Sequence, residues 1–325
     1  IRDRVRGCRL GAVGIHEGRN VWRHDNHRSG GIIGGMGHAP VIVVVEPFGG
    51  SSRRQNPQLP HIFWDDLGLT RADGIFESLL VHEGRACNVE RHVERFLAGA
   101  KKLDLPELGR DAVLKATGEA VAGWVDECGD ELVDGKLVWT FTRGRASTGI
   151  PSVWMTVTDV PAGNAKLREK GVKVKLCEKG ITLHPEKAPW IASGAKSLGY
   201  SATMAALRAA KAEGMDDVIW VDGDRVLEGA TSTVISIKGK KVRTPPSGTD
   251  VLAGTTQQAV FETLTAAGYA CKEKELSVDK LKEADGVWLV SSVRGAVPVR
   301  SLDGEKLNRN TPDDVARLLA EAMFS

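Results

Sequence analysis

Lys196 stands in the stretch Ile191-Ala-Ser-Gly-Ala-Lys-Ser-Leu-Gly-Tyr200, among small, uncharged neighbours. A lysine packed this way is easily desolvated, which favours its neutral amine, a nucleophile toward aldehydes. Tyr200 follows four residues later. Glu228 ends a strand-like run and opens Glu228-Gly-Ala-Thr-Ser-Thr233. Leu252-Ala-Gly-Thr-Thr-Gln257 introduces a helix. The backbone N–H groups at its Gly254-Thr255-Thr256 opening, with the two threonine hydroxyls, suit a phosphate at the positive end of the helix dipole. Upstream, Glu90-Arg-His-Val-Glu-Arg95 puts Arg91 and Arg95 one turn apart on one helix face.

The elements that must position these residues follow from periodicity and punctuation. Val41–Glu46 reads as a short β-branched strand closed by Pro47 and Gly49-Gly50. Ile75–His82 reads as a second strand, turned back by Glu83-Gly84 into Ala86–Asn88. Asn88 is placed to cap a helix that runs to about Leu103, with Phe96, Leu97, Ala100 and Leu103 at helical spacing. A second helix covers about Arg110 to Glu127, and strands cover Leu137–Thr142 and Val153–Val160. Beyond Pro161, Val172, Val174 and Leu176 alternate with lysines, a strand with one wet face. A helix over Ser201–Glu213 is capped by Ser201 and stopped by Gly214. Asp222-Gly223-Asp224 marks a tight hairpin, and Lys238-Gly239-Lys240 another. Helices over Thr255–Ala267 and Thr311–Met323 and a strand over Val287–Ser291 complete the pattern. Irregular alternation of strands and helices predicts mixed α/β (α+β) domains. The boundaries are 1–35 for a basic leader, 36–160 for a smaller N-terminal domain, 161–165 for a linker and 166–325 for a larger C-terminal domain.

Composition narrows the function classes. The 325 residues are 42% hydrophobic and 26% charged, an ordinary globular balance that can form a sizeable core. The longest apolar run, Val41–Val45, is too short to span a bilayer, and no signal peptide is recognisable. Cys8, Cys87, Cys128, Cys177 and Cys271 are scattered, with no C-x-x-C pair, which points to free thiols and a reducing cytoplasm. The histidines form no metal-ligand spacing, so no metal is expected. Positive charge is concentrated at the start, where seven arginines face Asp3, Glu17 and Asp25 in residues 1–35. That segment lacks apolar periodicity, and the first methionine is Met36. It reads as a leader outside the folded protein rather than a nucleic-acid-binding arm.

Taken together, the segments around Arg95, Lys196, Tyr200, Glu228 and Thr255 resemble the class IV aminotransferase family, from about Asp73 to Val299. That family comprises branched-chain and D-amino-acid aminotransferases and aminodeoxychorismate lyase. The resemblance implies a two-domain fold type IV enzyme that carries pyridoxal 5'-phosphate between its domains and works as a homodimer. It implies that Lys196 forms the Schiff base with the cofactor and, once displaced, moves the substrate's proton. Glu228 matches the glutamate that keeps the pyridine nitrogen protonated. Arg95 of the H-x-x-R helix matches the phosphate-binding arginine, with Arg91 as the alternative. Thr231, Ser232, Thr255 and Thr256 match cofactor-binding hydroxyls, and Tyr200 a tyrosine at the cofactor's ring hydroxyl. Gly199 and Thr233 stand where the family often has Asn.

Three further segments bear on substrate. Asp73-Gly-Ile-Phe-Glu-Ser78 resembles a shared strand that lines the pocket through Phe76. Thr140-Phe-Thr-Arg-Gly144 resembles the strand end of the lyase and of D-amino-acid aminotransferases. Val290-Ser-Ser-Val-Arg-Gly-Ala-Val-Pro-Val299 resembles a loop of the lyase, with Ser291 in place of its Asn. Arg143, Ser292 and Arg294 are the expected substrate-binding residues, the arginines through bidentate grip on a carboxylate. The expected activity is that of aminodeoxychorismate lyase, which releases 4-aminobenzoate and pyruvate. A transaminase of D-amino acids, branched-chain amino acids or amines is the alternative, and a catalytically silent binding homologue is the third reading.

Overall fold

The computed structural model describes residues 37–47, 51–180, 194–248 and 250–324. The expected leader lies outside them. From His38 onward the chain forms two sheets. The first half contains β1 (Val41–Val45), β2 (Ser52–Gln55), α1 (Leu67–Arg71), β3 (Gly74–His82), β4 (Arg85–Ala86), α2 (Val89–Lys102), α3 (Arg110–Cys128), β5 (Gly135–Thr142) and β6 (Ser152–Asp159). Its six strands lie in the order β2-β1-β6-β5-β3-β4. All their pairings are antiparallel.

The second half contains α4 (Asn164–Lys170), β7 (Val172–Glu178), α5 (Ser201–Ala212), β8 (Asp217–Asp222), β9 (Arg225–Gly229), β10 (Thr233–Lys238), β11 (Lys241–Thr244), α6 (Thr255–Ala266), β12 (Ala270–Glu273), α7 (Val278–Lys282), β13 (Gly286–Ser291), β14 (Gly295–Leu302), β15 (Glu305–Lys306) and α8 (Asp314–Glu321). Its sheet runs β12-β11-β10-β13-β14-β7-β8-β9, with β15 beside β14. Parallel and antiparallel pairs are mixed, since β7 runs parallel to both β8 and β14.

The strand register of the first sheet decides what the site contains. Side chains alternate across a strand. Ile75, Glu77, Leu79 and Val81 of β3 face the core, with Leu137, Trp139 and Phe141 of β5 opposite on the same face. Against this face α2 packs Val93, Phe96 and Ala100, and α3 packs Val113, Ala116, Ala120 and Trp124. Phe96 meets Trp139 edge-on at 5.6 Å between ring centroids. Burying such large side chains contributes about 1.5–3 kcal/mol each. Phe76 and Ser78 of β3, with Thr140, Val138 and Lys136 of β5, project from the other face.

Several sequence expectations are corrected. Asn88 does sit at the N-cap of α2, but in the left-handed region at φ 53°, with no side-chain cap bond. Tyr200, not Ser201, occupies the N-cap of α5. The expected linker is cut short because α4 already begins at Asn164. The stretch Val290–Val299 is not a loop but a β-hairpin, in which Ser291 pairs with Gly295. The terminal helix starts at Asp314, later than its Thr-Pro opening suggested.

Candidate active site

The backbone at Lys196 is pinned to the start of β3. Phe76 N–H donates to the Lys196 carbonyl at 2.9 Å, and Leu198 N–H to the Gly74 carbonyl at 3.0 Å. Gly74 leaves room for this approach and for β5, because a Cβ there would stand 2.9 Å from Leu198 Cδ1 and 2.6 Å from the Phe141 carbonyl oxygen. The Lys196 side chain leaves this anchor toward the pocket face. Its Nζ donates to the Tyr200 hydroxyl at 3.0 Å and lies 4.3 Å from the centre of the Phe76 ring. Phe76 and Tyr200 meet edge-on at 5.1 Å. The amine is thus fixed between two rings and one hydroxyl.

Glu228, at the end of β9, lines the same cavity of about 920 Å³. Burial pushes its carboxyl up, opposed by the Leu252 N–H that donates to Oε2 at 3.0 Å and by the Lys179 ammonium 4.0 Å from Oε1. Lys179 is held in place by a 2.7 Å bond to the Asp250 carbonyl.

A third group of residues surrounds the start of α6. Arg95 grips Glu77 bidentately, Nε to Oε1 and Nη2 to Oε2, both at 2.7 Å, and its Nη1 donates to the Ala253 carbonyl at 2.7 Å. Glu77 also accepts from His92 Nδ1 at 2.8 Å. An ionised carboxylate only accepts, so Nδ1 carries the proton. Burial lowers the His92 pKa, and the neutral ring's Nε2 then accepts from the hydroxyls of Thr255 at 3.1 Å and Ser292 at 3.2 Å. Ser292 and Thr256 are joined at 3.1 Å. The first N–H groups of α6 have no side-chain cap. A Cβ on Gly254 would stand 2.5 Å from Thr233 Oγ1, so a larger residue here would have to displace that hydroxyl. Among the described residues the buried Ser232 hydroxyl has no partner. Uncapped N–H groups, an arginine with further donors and an unpaired hydroxyl fit a phosphate. The Glu228 carboxylate fits a protonated ring nitrogen. The pocket therefore suits a phosphorylated pyridine aldehyde with Lys196 as its anchor.

The structure brings together Phe76, Arg95, Lys196, Tyr200, Glu228, Thr231, Ser232, Thr255, Thr256, Ser292 and Arg294 around this one cavity. Arg91 is not among them, since it pairs with Glu262 and Asn88. Arg143 is also outside, contrary to expectation. Its guanidinium is taken up by Asp73 and by the carbonyls of Leu103 and Asp104. Ser292 sits beside Thr256 in the phosphate-fitting group instead of standing free for substrate. Sequence reasoning missed Glu77, which organises Arg95 and His92. The signal was available, because an acid in register with Ile75 and Leu79 on a core-facing strand demands a cationic partner. Among the described residues no cluster of His, Cys, Asp or Glu could hold a metal ion, and no helix is long and apolar enough to cross a membrane.

Glu77 yields a stability prediction. Burial alone would raise its pKa, but the Arg95 charge and the His92 and Arg95 hydrogen bonds outweigh it and hold the carboxyl at about 2, against an ordinary 4.5. A depressed acid stabilises the fold above the unfolded-state pKa, and that contribution is lost as pH falls through the folded one. About 3 kcal/mol is therefore present above pH 4.5 and lost toward pH 2. Glu77→Gln is expected to destabilise by about 3–5 kcal/mol at pH 7, because Arg95 keeps its charge without a counterion. The difference from wild type should shrink below pH 4. Urea unfolding at pH 7 and pH 3 checks both, and a variant within 1 kcal/mol (about the scatter of single substitutions) at pH 7 contradicts them.

Comparison with known proteins places this geometry. The family described as amino-transferase class IV matches residues 74–302. A bifunctional aminodeoxychorismate lyase / D-amino acid transaminase of Mycobacterium tuberculosis is 40% identical over 274 residues, which are 82% of this chain and 93% of that protein. A solved aminotransferase from the same organism, in a PLP-bound form, superposes with a TM-score of 0.81 at 36% identity, covering 87% of this chain and 98% of that one. A fold IV transaminase from Curtobacterium pusillum superposes with a TM-score of 0.80 at 34% identity, covering 87% and 97%.

Proposed function

The chain belongs to the class IV aminotransferase family of pyridoxal-phosphate-dependent enzymes, and we propose that within it this protein is an aminodeoxychorismate lyase. The observation that carries this reading is the convergence of Lys196, Glu228 and the Arg95–α6 group on one cavity large enough for cofactor and substrate together. The lyase assignment is further supported by the Val290–Val299 segment and by the activity named for the Mycobacterium tuberculosis relative.

When bound, pyridoxal phosphate supplies an electrophilic carbon for amines and a sink for the electrons of a broken C–H bond. The residues do the rest. Arg95, Thr255, Thr256 and the N–H groups of α6 would hold the phosphate, with the Ser232 and Thr231 hydroxyls beside it. Glu228 would hold a proton on the ring nitrogen. Tyr200 orients the Lys196 amine through its 3.0 Å bond. Lys196 takes the proton from the ring carbon that bears the substrate's amine. The neighbouring enolpyruvyl group leaves with the electrons of its C–O bond, gains a proton and is released as pyruvate. The ring becomes aromatic as 4-aminobenzoate. Incubating cofactor-loaded protein with aminodeoxychorismate should yield 4-aminobenzoate and pyruvate in equal amounts. No 4-aminobenzoate would overturn the reading.

A second reading, D-amino-acid transaminase, is favoured by the same relative's second named activity. It predicts amino transfer from D-alanine to 2-oxoglutarate on the same lysine. The protein is further proposed to work as a homodimer. Phe63, Trp64, Leu59 and Leu69 are exposed near one another in sequence, Trp64 by 80%, and a second copy of the chain would cover them. Sedimentation at the mass of a single chain would contradict this.

A further inference from the structure

The phosphate-fitting group brings little net charge of its own. Arg95 is paired twice with Glu77, Nε to Oε1 and Nη2 to Oε2, so its charge is already balanced. What faces the cavity is a set of dipoles, the opening N–H groups of α6 and the hydroxyls of Thr255, Thr256 and Ser292. A phosphate ester at neutral pH carries about −1.5 to −2 charges. The residue placed to supply the missing positive charge is His92. It is fully buried and touches both parts of the group. Nδ1 bonds Glu77 at 2.8 Å, and Nε2 meets the Thr255 and Ser292 hydroxyls at 3.1 and 3.2 Å.

Counting hydroxyl hydrogens shows what the state of the ring decides. Each hydroxyl has one hydrogen to donate, and a neutral imidazole offers one acceptor nitrogen. The 3.1 Å contact between Thr256 and Ser292 uses one of the three hydrogens. A neutral His92 draws a second onto Nε2, which leaves one for an anion. A protonated His92 reverses that bond. Nε2 then donates to the Thr255 and Ser292 oxygens, and two hydroxyl hydrogens are free to turn to the cavity.

The groups around the ring permit both states. From β3, Glu77 favours the charged ring, while burial and the Arg95 and Lys196 charges oppose it. The start of α6 and the β13–β14 turn present hydroxyls, and β5 presents the Trp139 indole, with ring centroids 6.4 Å apart. A dianion beside Thr255 and Ser292 adds the negative field that favours the imidazolium.

We propose that His92 is a positioning residue for the cofactor's phosphate, which takes one proton from solvent as the phosphate binds and so releases a hydroxyl hydrogen of Thr255 or Ser292 from the ring to the anion. This rests on the reading of the Arg95–α6 group as the phosphate end of the pocket, and it adds a proton to that end. One N–H bond forms, at Nε2, and the Nδ1 hydrogen stays on Glu77. Between the ring's pKa in the cofactor-free and in the loaded protein, affinity for the phosphate should fall about tenfold per pH unit, because one proton is taken up.

The test is NMR of the full-length holoenzyme with both histidine ring nitrogens isotope-labelled, at about pH 8, above the ordinary range of histidine. The His92 signals are those missing from His92→Gln. One bare ring nitrogen is expected at His92 in the cofactor-free protein, and none once pyridoxal phosphate is loaded. Signals that move on loading while one nitrogen stays bare would overturn the proton uptake alone. Signals that do not move would overturn the placement of the phosphate as well. Should His92→Gln not fold, calorimetry on Glu228→Gln gives the answer, since this variant removes the other group that holds a proton against the cofactor. Titration with pyridoxine 5'-phosphate, which has no aldehyde for Lys196, in buffers of different ionisation heat should show uptake of about one proton. No uptake would overturn the proposal. Neither measurement reads turnover, so the lyase reading stands or falls separately on the formation of 4-aminobenzoate.

Discussion

Replacing Lys196 with alanine should lower turnover by at least about a thousandfold, the range expected when the group that moves the proton is removed. The amine stands alone in its role. Among the described residues Tyr200 is its one hydrogen-bond partner, and Lys179, near the carboxylate end, is committed to Glu228 and the Asp250 carbonyl. The substitution should leave the fold intact. The bonds that anchor this segment to β3 run through the backbone, from Phe76 to the Lys196 carbonyl and from Leu198 to Gly74, and alanine retains both. Steady-state rates and a thermal melt check the pair of statements. A rate within tenfold of wild type would mean that another base serves the reaction.

Glu228→Gln should cost about a hundredfold in turnover without lowering stability. A glutamine is the same size but cannot hold a proton on a ring nitrogen by charge, so the electron sink weakens. Its effect on the cofactor-free fold has the opposite sign. Burial raises the Glu228 pKa, so the folded protein binds this proton more tightly than the unfolded chain does. For a raised acid the stabilising contribution is present at low pH and lost as pH rises through the folded value. At pH 8 the buried carboxylate is a burden on the fold that glutamine removes. Thermal melts of the cofactor-free proteins at pH 8 should therefore place the variant at or above wild type. A variant that loses activity and stability together would show Glu228 to be a structural residue.

The two sites that matter most were legible for a local reason. Lys196 lies in a run of small residues, and Gly254-Thr255-Thr256 opens a helix, so each announces its chemistry within a few positions. The choice between Arg91 and Arg95 was not local. Both lie on one face of α2, and only the packing of that helix against β3 puts Arg95 on Glu77 while Arg91 turns to Glu262. Arg143 misled for the same reason. An arginine at a strand end can face a pocket or close a loop, and here Asp73 and the carbonyls that end α2 capture it. The strands with strong alternation, β3 and β5, were readable. The short α4 was not, because Pro161-Ala-Gly-Asn has the composition of a turn, yet it opens a helix whose Arg168 donates to the Arg294 carbonyl just before β14. That misreading concealed Asn164, which belongs to the pocket wall and not to a passive linker.

Glu77 links the fold to the site. It sits on the core face of β3 and holds an arginine whose remaining donors serve the other side. Phe76, its neighbour in the strand, turns to the pocket and touches the Lys196 amine. Adjacent residues on one strand thus control the two ends of the cofactor-binding pocket, which is possible because the side-chain period is two.

The central claim is that Lys196 carries pyridoxal phosphate. Its most direct measurement is borohydride reduction of the cofactor-loaded protein, followed by peptide mass analysis. The account predicts visible absorption that is lost on reduction, with the added cofactor mass on the peptide containing Lys196 and none in Lys196→Ala. Absorption that survives reduction, or cofactor mass on Lys179 or another lysine, would contradict it.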